Sequence, residues 1–541
     1  MSIALTGPKL GRMRAALWFT TLLLSTLCAD VSAAADVLRI GNGPEPETLD
    51  PHRVEGVSAG NIVRDLFEGL TAVGDDGSAI PAAARSWEVS DDGRVYRFHL
   101  RDDLRWSNGD TVVAADFVFG LQRSVTPDTG SSFARMFEPV RNAAAIIDGR
   151  LPAHRLGVQA VDARTLQVTL DAPTPALPGM LAHPSAFPVH RASLSAHGSG
   201  FARPGRLVSN GAYRLAGWVV QSHVELERNP HYRAAAAIPW VRYLVTEDIH
   251  AELQRFRAGE LDITYEIPPL QAARIRREYP GALRIAPYLG VYYYGLNLTR
   301  APFAGKPALR QALSMVIDRQ VLADKVLHGL ALPAWSFVPP GMHALEAPRP
   351  DWQDWTPTRR QAEALRLYRQ AGYGDERPLE VEIRYNTHES HRRVATVVAA
   401  MWRQALGVRT RLVNEEFKVF LHKRRLRRET QAFRAAWMAD FNDPMSFLGI
   451  LHSEHGKNDS GWVDAGFDAA LMRAAATAEP AVRANLLAAA ERRILDDVPV
   501  IPLYFYVSKH LVAPRVRGWR DNPLDYHYSK DLALDRAPGD R

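Results

Sequence analysis

The sequence predicts an α/β protein built from more than one lobe. Alternating apolar and polar runs typical of strands, such as residues 95–100 and 166–170, are interspersed with amphipathic helical stretches such as 362–370 and 481–494. A chain of 541 residues exceeds what one hydrophobic core usually holds. We find no Gly/Ser-rich linker and no repeat of fixed period, so we expect interleaved domains.

Residues 1–35 predict an export signal. Three basic residues precede an apolar run over about residues 15–27, and the small residues 32–35 follow it. The run is too short to span a bilayer, and its flanks are typical of a cleaved secretory peptide. We expect cleavage between Ala33 and Asp36, with Met13 as an alternative start.

Composition argues against a lipid anchor and against a nucleic-acid partner. The only cysteine, Cys28, lies inside the signal, and the bulky Leu27 before it argues against a lipoprotein site. The chain has 66 basic and 60 acidic residues, and removing residues 1–35 leaves a net charge of about +4. This balance gives no reason to expect a nucleic-acid partner.

In the segment 433–444, the nearly apolar run 433–441 carries one cation and one anion. As a strand it would place Arg434, Ala436, Met438 and Asp440 on one face, because side chains alternate with period two. Burying these charges is costly unless each has a partner. The partners could be internal ion pairs, or the two ends of a zwitterionic ligand. Six residues of strand span at most about 20 Å, so a peptide of a few residues fits.

Helical spacing divides the basic run 423–428 between two faces of a predicted helix. Phe417, Leu421, Arg424 and Arg428 fall at i, i+4, i+7 and i+11 and share one stripe. A solvated helix face is the default interpretation for the other residues of this run.

Catalytic motifs are missing from the sequence. We find no G-x-S-x-G elbow, P-loop, dinucleotide loop or H-E-x-x-H pair. The pairs His388 with His391 and His452 with His455 lack further ligands at metal spacing. We therefore expect no enzyme activity, no metal and no cofactor.

Ordered blocks along nearly the whole chain form a recognisable series, namely residues 49–56, 64–70, 87–119, 210–213, 292–297, 433–444 and 504–506. These blocks resemble the family 5 extracellular solute-binding proteins of ABC importers, especially the oligopeptide and murein-peptide receptors. The resemblance implies a periplasmic binding protein fold of type II, cluster C. Lobe I would comprise 36–67, 193–289 and 506–541, an inserted domain 68–192, and lobe III 290–505, with a hinge near Gly290 and Val507.

The resemblance also implies a peptide site. Asp440 would bind the α-ammonium and Arg434 the α-carboxylate, assisted by Arg424 and His391. The other positions that align with ligand-contacting residues are Glu55, Val57, Phe119, Phe417, Leu421, Trp437 and Tyr506.

The chain departs from relatives of this kind at several positions. A lysine used for short peptides in some receptors aligns with Leu327, so carboxylate capture would depend on Arg434, Arg424 and His391. Arg425 aligns with a histidine of enteric receptors, which would make this end of the cleft more cationic. A disulfide of the enteric receptors aligns with Gly290 and Met438, where packing must replace it.

The function implied is that of an exported, monomeric receptor in the periplasm. It would capture short oligopeptides in an interlobe cleft and deliver them to the membrane permease of an ABC importer. The alternative with the same fold is a murein-peptide receptor, whose ligand carries an extra carboxylate that Arg424 and Arg425 could pair. The rival of another class is a cell-wall peptidase, which would need a nucleophile or a metal site.

Overall fold

The computed structural model describes residues 37–342 and 347–535, so the predicted signal peptide lies outside the described residues. The architecture is two-lobed and mixes helices with antiparallel and parallel strand pairs, which confirms the predicted α/β class. In the described ranges, no helix is both long enough and apolar enough to cross a bilayer.

The strands are numbered in chain order. They are β1 (Val37–Gly41), β2 (Thr71–Val73), β3 (Ala79–Pro81), β4 (Ala84–Val89), β5 (Val95–Leu100), β6 (Val158–Ala160), β7 (Thr165–Thr169), β8 (Tyr213–Val219), β9 (His223–Arg228), β10 (Trp240–Leu244), β11 (Leu283–Leu296), β12 (Ala331–Pro333), β13 (Glu380–Asn386), β14 (Arg409–Glu415), β15 (Ala432–Met438), β16 (Val500–Leu511), β17 (Val516–Arg517) and β18 (Ala533–Leu534).

The α-helices are numbered in the same way. They are α1 (Val57–Leu66), α2 (Ala114–Val125), α3 (Ala143–Ile147), α4 (Leu177–Met180), α5 (Arg191–His197), α6 (Ile249–Arg257), α7 (Ala272–Glu278), α8 (Pro307–Met315), α9 (Arg319–Val321), α10 (Pro357–Gln370), α11 (Glu389–Leu406), α12 (Phe417–Leu426), α13 (Met445–Leu448), α14 (Ala465–Ala475) and α15 (Pro480–Asp497). A π-helical turn, Leu322–Val326, follows α9.

A four-stranded sheet in the order β1-β10-β9-β8 forms the first lobe. Its strands show the expected alternation: in β10, Val241 and Tyr243 are buried while their neighbours are half-exposed. The core of this lobe also takes residues from α1 and from the C-terminal stretch, including Leu532.

A second four-stranded sheet, β4-β5-β7-β6, is wholly antiparallel and packs its own core. The helix α2 covers it, burying Phe117 and Leu121 on one face. Its first turn is closed by Asp116, whose carboxylate accepts the Val113 backbone N–H at 2.9 Å. The core members lie between Leu70 and Ala186.

A six-stranded sheet in the order β12-β16-β11-β15-β13-β14 forms the other lobe. It separates two apolar clusters, because successive side chains of a strand point to opposite faces. Tyr292 and Tyr294 of β11 lie in one cluster, whereas Val291 and Tyr293 lie in the other. The residues of both clusters come mainly from positions 289–505.

Two long strands connect the lobes. Residues Leu283–Pro287 of β11 pair with Leu511–Val507 of β16, and the ladder resumes at Val291 opposite Phe505 after an irregularity. On the first-lobe side, the Thr264 N–H donates to the carbonyl of Leu511. The interruption lies next to Gly290 and Val507, where the sequence predicts a hinge; the hinge and the domain boundaries stay proposals.

A buried ion group stabilises the sheet at β13. The Arg384 guanidinium donates to the carboxylates of Glu382 at 2.7 Å and Glu415 at 2.6 Å. Glu382 also pairs with Arg411, but the Arg384 side chain is 5% exposed whereas that of Arg411 is 74% exposed. The two arginines thus share a carboxylate in very different solvent environments.

We expect Arg384→Met to destabilise the protein by about 3–5 kcal/mol, because it removes the buried cation that Glu382 and Glu415 share and leaves each carboxylate only its more exposed partner, Arg411 or Lys423. Arg411→Gln is the matched control and should cost no more than about 1 kcal/mol, since solvent screens the exposed pair. Urea unfolding of both variants measures the difference. Equal losses would show that burial does not determine the strength of this ion group.

Candidate functional site

The strand β15 has one paired edge and one edge that is largely open. It pairs with β11 along its length, from Met438 opposite Gly290 to Ala432 opposite Leu296. On the other side, β13 pairs only with Ala432 and Phe433. Among the described strands, none continues this second ladder, so β15 offers an open edge beyond Phe433.

The backbone direction of the open edge follows from the bonds at the ends of β15. The Ala439 N–H donates to the Leu289 carbonyl, and the Gln431 carbonyl accepts from the Asn297 N–H, each at 2.8 Å. Because alternate residues of an antiparallel strand direct their backbone groups to opposite sides, Ala436 and Met438 direct theirs away from β11. An extended chain could therefore add to this edge by main-chain hydrogen bonds.

Close packing of Gly290 against Met438 holds β11 and β15 together where relatives are expected to have a disulfide. The two residues are directly opposite in register. A Cβ added at Gly290 would overlap the Met438 sulfur, so the Met438 side chain occupies space that the missing side chain of Gly290 leaves free. The sequence prediction that packing joins these positions is confirmed.

Arg434 is a cation with no carboxylate partner among the described residues. Its Nη1 donates to the Asn386 side-chain oxygen at 3.2 Å, and its guanidinium lies 5.4 Å from the centre of the Tyr292 ring. Its Nε is buried and reaches no acceptor among the described residues. Burial lowers the pKa of Arg434, but the phenols of Tyr506, Tyr292 and Tyr504 outweigh it and raise that pKa, so Arg434 stays charged.

His391 lies on the same face of the sheet as Arg434. Its Nδ1 is 3.4 Å from the Tyr292 hydroxyl, and its ring contacts that of His388 at 4.7 Å. Burial, together with the positive charge of Arg434, lowers the pKa of His391 to about 2, so it is neutral at physiological pH. His391 is in the first turn of α11, whose N-terminal backbone dipoles favour an anion. Tyr506 completes this group, with its ring 6.5 Å from that of Tyr292.

Asp440 follows the last residue of β15 by two positions. Its backbone N–H donates to the Ser446 hydroxyl at 2.9 Å, but no donor from the described residues reaches its carboxylate. Burial raises the pKa of Asp440 from 3.8 to about 7, and the charge of Lys457 offsets only part of this rise. The carboxylate is thus a poorly solvated anion that a cationic ligand would stabilise.

Arg424 lies on the opposite face of the sheet from Arg434. It contacts the rings of Phe420 and Phe433, and Phe433 belongs to the other apolar cluster. Its Nε is 2.6 Å from the Asp459 carboxylate, so its charge already has an internal partner. The structure therefore does not bring Arg424 to the face of the sheet that carries Arg434, and its role as a ligand contact stays a prediction.

The other predicted residues of this lobe are divided between faces. Trp437 and Leu421 pack on the side of Arg424, and the Trp437 indole N–H is buried without an acceptor in the described ranges. Phe417 is exposed at the start of α12, and Arg425 is also exposed. Leu327 is buried in the core beside the sheet.

Three predicted residues lie outside this lobe. Val57 begins α1 and borders a small cavity of the first lobe. Glu55 is exposed and accepts a hydrogen bond from the Ser132 hydroxyl. Phe119, on α2, lies under the Arg191 guanidinium at 4.4 Å. Glu55 and Phe119 each have an internal contact, and the ligand role of all three residues stays a prediction.

Sequence reasoning did not select Asn386 and Tyr292, which hold the Arg434 side chain. Tyr292 lies in the 292–297 block, whereas Asn386 lies outside the blocks, five residues before His391. Their position next to Arg434 depends on the pairing of β15 with both β11 and β13.

We expect Asp440→Asn to stabilise the ligand-free protein at pH 8, by at most about 4 kcal/mol. A carboxylate whose pKa rises from 3.8 in the unfolded chain to about 7 in the folded protein destabilises folding once both states are ionised. The gain should therefore shrink as the pH falls from 7 toward 4. Urea unfolding at pH 8 and pH 5 measures it, and an equal effect at both would contradict the raised pKa.

The sequence is similar to a known protein family and to several characterised proteins. The sequence matches the family described as "Bacterial extracellular solute-binding proteins, family 5 Middle" over residues 78–459. It is 37% identical over 530 residues to the periplasmic oligopeptide-binding protein OppA of Salmonella typhimurium, covering 95% of this chain and 97% of that protein.

Two further similarities come from Escherichia coli. The probable deoxycholate-binding periplasmic protein YgiS is 39% identical over 530 residues, covering 96% of this chain and 98% of that protein. The solved structure of the murein tripeptide binding protein MppA superposes with a TM-score of 0.83 at 35% identity, covering 92% of this chain and 98% of that one. The match of more than half the chain confirms the predicted family: the protein belongs to the bacterial extracellular solute-binding proteins of family 5.

Proposed function

We propose that this protein is an exported receptor that binds short peptides in the cleft between its lobes and delivers them to the membrane permease of an ABC importer. The observation that carries this proposal is Arg434, a charged group whose described contacts include no carboxylate. It lies beside an open strand edge, and that edge leads to Asp440, whose carboxylate has no described donor.

This arrangement has the polarity of a peptide. With the carboxylate at Arg434 and the ammonium at Asp440, the ligand would run antiparallel to β15. Six residues of strand span about 20 Å. If the side chains of Arg434 and Asp440 bend toward each other, their charged groups are closer than this, at a separation that a peptide of a few residues can span. Main-chain bonds to Ala436 and Met438 would be independent of the ligand's side chains, so the site would tolerate many sequences.

The relatives support the same class of ligand and compartment. OppA is named as a periplasmic oligopeptide-binding protein, and MppA as a murein tripeptide binding protein. By this analogy the present chain acts in the periplasm after cleavage near Ala33–Asp36, works as a monomer, and transports rather than cleaves its ligand. We further propose that the lobes close by bending at the interrupted ladder of β11 and β16.

The murein-peptide alternative is less well supported by the geometry. It requires a free cation for an extra carboxylate, and Arg424 is paired with Asp459. Arg425 is exposed at the surface of the same helix, where salt screens its charge. General peptides therefore remain the preferred ligand class.

The test of this proposal pairs each variant with a matching change in the ligand. Arg434→Gln should weaken a tripeptide with a free carboxylate by about 1.5–3 kcal/mol, but should have little effect on the C-terminal amide. Asp440→Asn should similarly weaken the free-amine peptide more than its N-acetylated form. Isothermal titration calorimetry measures the affinity of each protein variant for each ligand. If the effects of the protein change and the ligand change on the binding free energy do not add, the two altered groups are in contact.

Arg424→Gln provides the arginine control. If Arg424 does not touch the terminal carboxylate, its effect and that of amidation should add. Additive effects for Arg434→Gln as well would refute the proposed carboxylate contact.

Deoxycholate tests a different ligand class, because it has a carboxylate but no ammonium. Any binding of deoxycholate should depend on Arg434 but not on Asp440. If the protein bound deoxycholate tightly and bound no peptide, the proposed ligand class would be wrong.

A further inference from the structure

Two histidines and an aspartate meet where the C-terminal segment packs against β16. The Asp525 carboxylate lies 3.0 Å from His510 Nε2 and 2.9 Å from His527 Nε2. One ligand atom from each residue lies within 4.8 Å of the other two. His510 is buried, and the other two residues are half-buried.

These separations are close to those of a metal coordination shell. Bonds of about 2.0–2.1 Å to nitrogen and oxygen at tetrahedral angles place neighbouring ligand atoms roughly 3.3 Å apart. The nitrogen–oxygen distances of 2.9–3.1 Å around Asp525 need only a small expansion to admit an ion. Two imidazoles and one carboxylate are a donor set that suits divalent first-row transition metals.

The surroundings orient the two rings as the outer contacts of a metal site do. His510 Nδ1 donates to the Thr264 carbonyl at 2.8 Å, which leaves its Nε2 directed at Asp525. The His527 ring stacks on Trp519 with centres 3.7 Å apart and planes inclined by 21°. Such contacts fix the orientation of ligating histidines and strengthen metal binding.

The cluster also borders a small, partly open cavity. A cavity of about 50 Å³ is bounded by the three residues together with Val57, Asn61 and Tyr265. This volume exceeds that needed for one water molecule. A water could therefore complete a four-coordinate ion bound to the three side chains.

We propose that His510, Asp525 and His527 form a binding site for a divalent transition-metal ion of the Zn²⁺ class, with water as the fourth ligand. The ion would replace the protons that now join the two Nε2 atoms to Asp525. Sequence reasoning expected no metal and considered only closely spaced histidine pairs. This cluster escaped it because His510 is 15 residues from Asp525 and becomes its neighbour only through tertiary folding.

The site would join parts of the chain that belong to different packing units. His510 is on β16 near the passage between the lobes, whereas Leu524 and Leu532 on either side of the other two ligands pack in the cores of the two lobes. A bound ion should therefore stabilise the folded protein, because it binds the assembled cluster and not the unfolded chain.

The experiment uses the full mature protein, treated with EDTA and transferred to metal-free buffer, and titrates it with ZnCl₂ by calorimetry. We expect one Zn²⁺ per chain and a rise in the melting temperature. His527→Gln should weaken the binding at least about 10-fold and remove the thermal shift. The double variant His452→Gln/His455→Gln removes a closely spaced histidine pair elsewhere in the chain and should retain both effects.

Asp525→Asn is the second variant, since it keeps a hydrogen-bond acceptor for both histidines while removing the anionic ligand. It should also weaken Zn²⁺ binding at least about 10-fold, with circular dichroism confirming that both variants are folded. Failure of the wild type to bind Zn²⁺, or equal affinity in the wild type and the two cluster variants, would overturn the proposal. Loss of binding only in the His452/His455 variant would assign the ion to that surface pair and would equally overturn it.

Discussion

The desolvation of two opposite charges near one strand is the constraint on which the site depends. Arg434 is held by an amide oxygen and aromatic rings, which orient a cation without neutralising it. Asp440 is held so poorly solvated that burial raises its pKa to about 7. A protein that keeps such charges without internal partners gives up stability that a ligand of matching charge can restore.

The sheet makes this arrangement possible because the two edges of β15 are paired to different extents. The edge of β15 that faces β11 is fully paired and is fixed by the close approach of Gly290 to Met438. The edge that faces β13 is paired only at its beginning. The paired edge positions the charges, and the open edge would leave main-chain groups for the proposed extended ligand.

The two faces of the same strand separate two cations that look alike in the sequence. Arg424 is neutralised by Asp459 and contributes to the packing of one apolar cluster, whereas Arg434 remains available on the other face. This separation favours a site for one terminal carboxylate over a site for a ligand rich in anions. It also explains why counting basic residues gives little information on ligand charge.

Patterns in the sequence predicted the α/β class, the family, the close contact at Gly290 and Met438, and the strand that carries Arg434, although that strand ends at Met438 and does not reach Asp440. These features depend on local periodicity and on ordered blocks that extend along the chain. Only the folded structure shows that Arg424 meets Asp459, that Asn386 and Tyr292 hold Arg434, and that His510 meets Asp525 and His527. Those contacts join residues far apart in the chain, and strand register and lobe packing, which no local pattern specifies, bring them together.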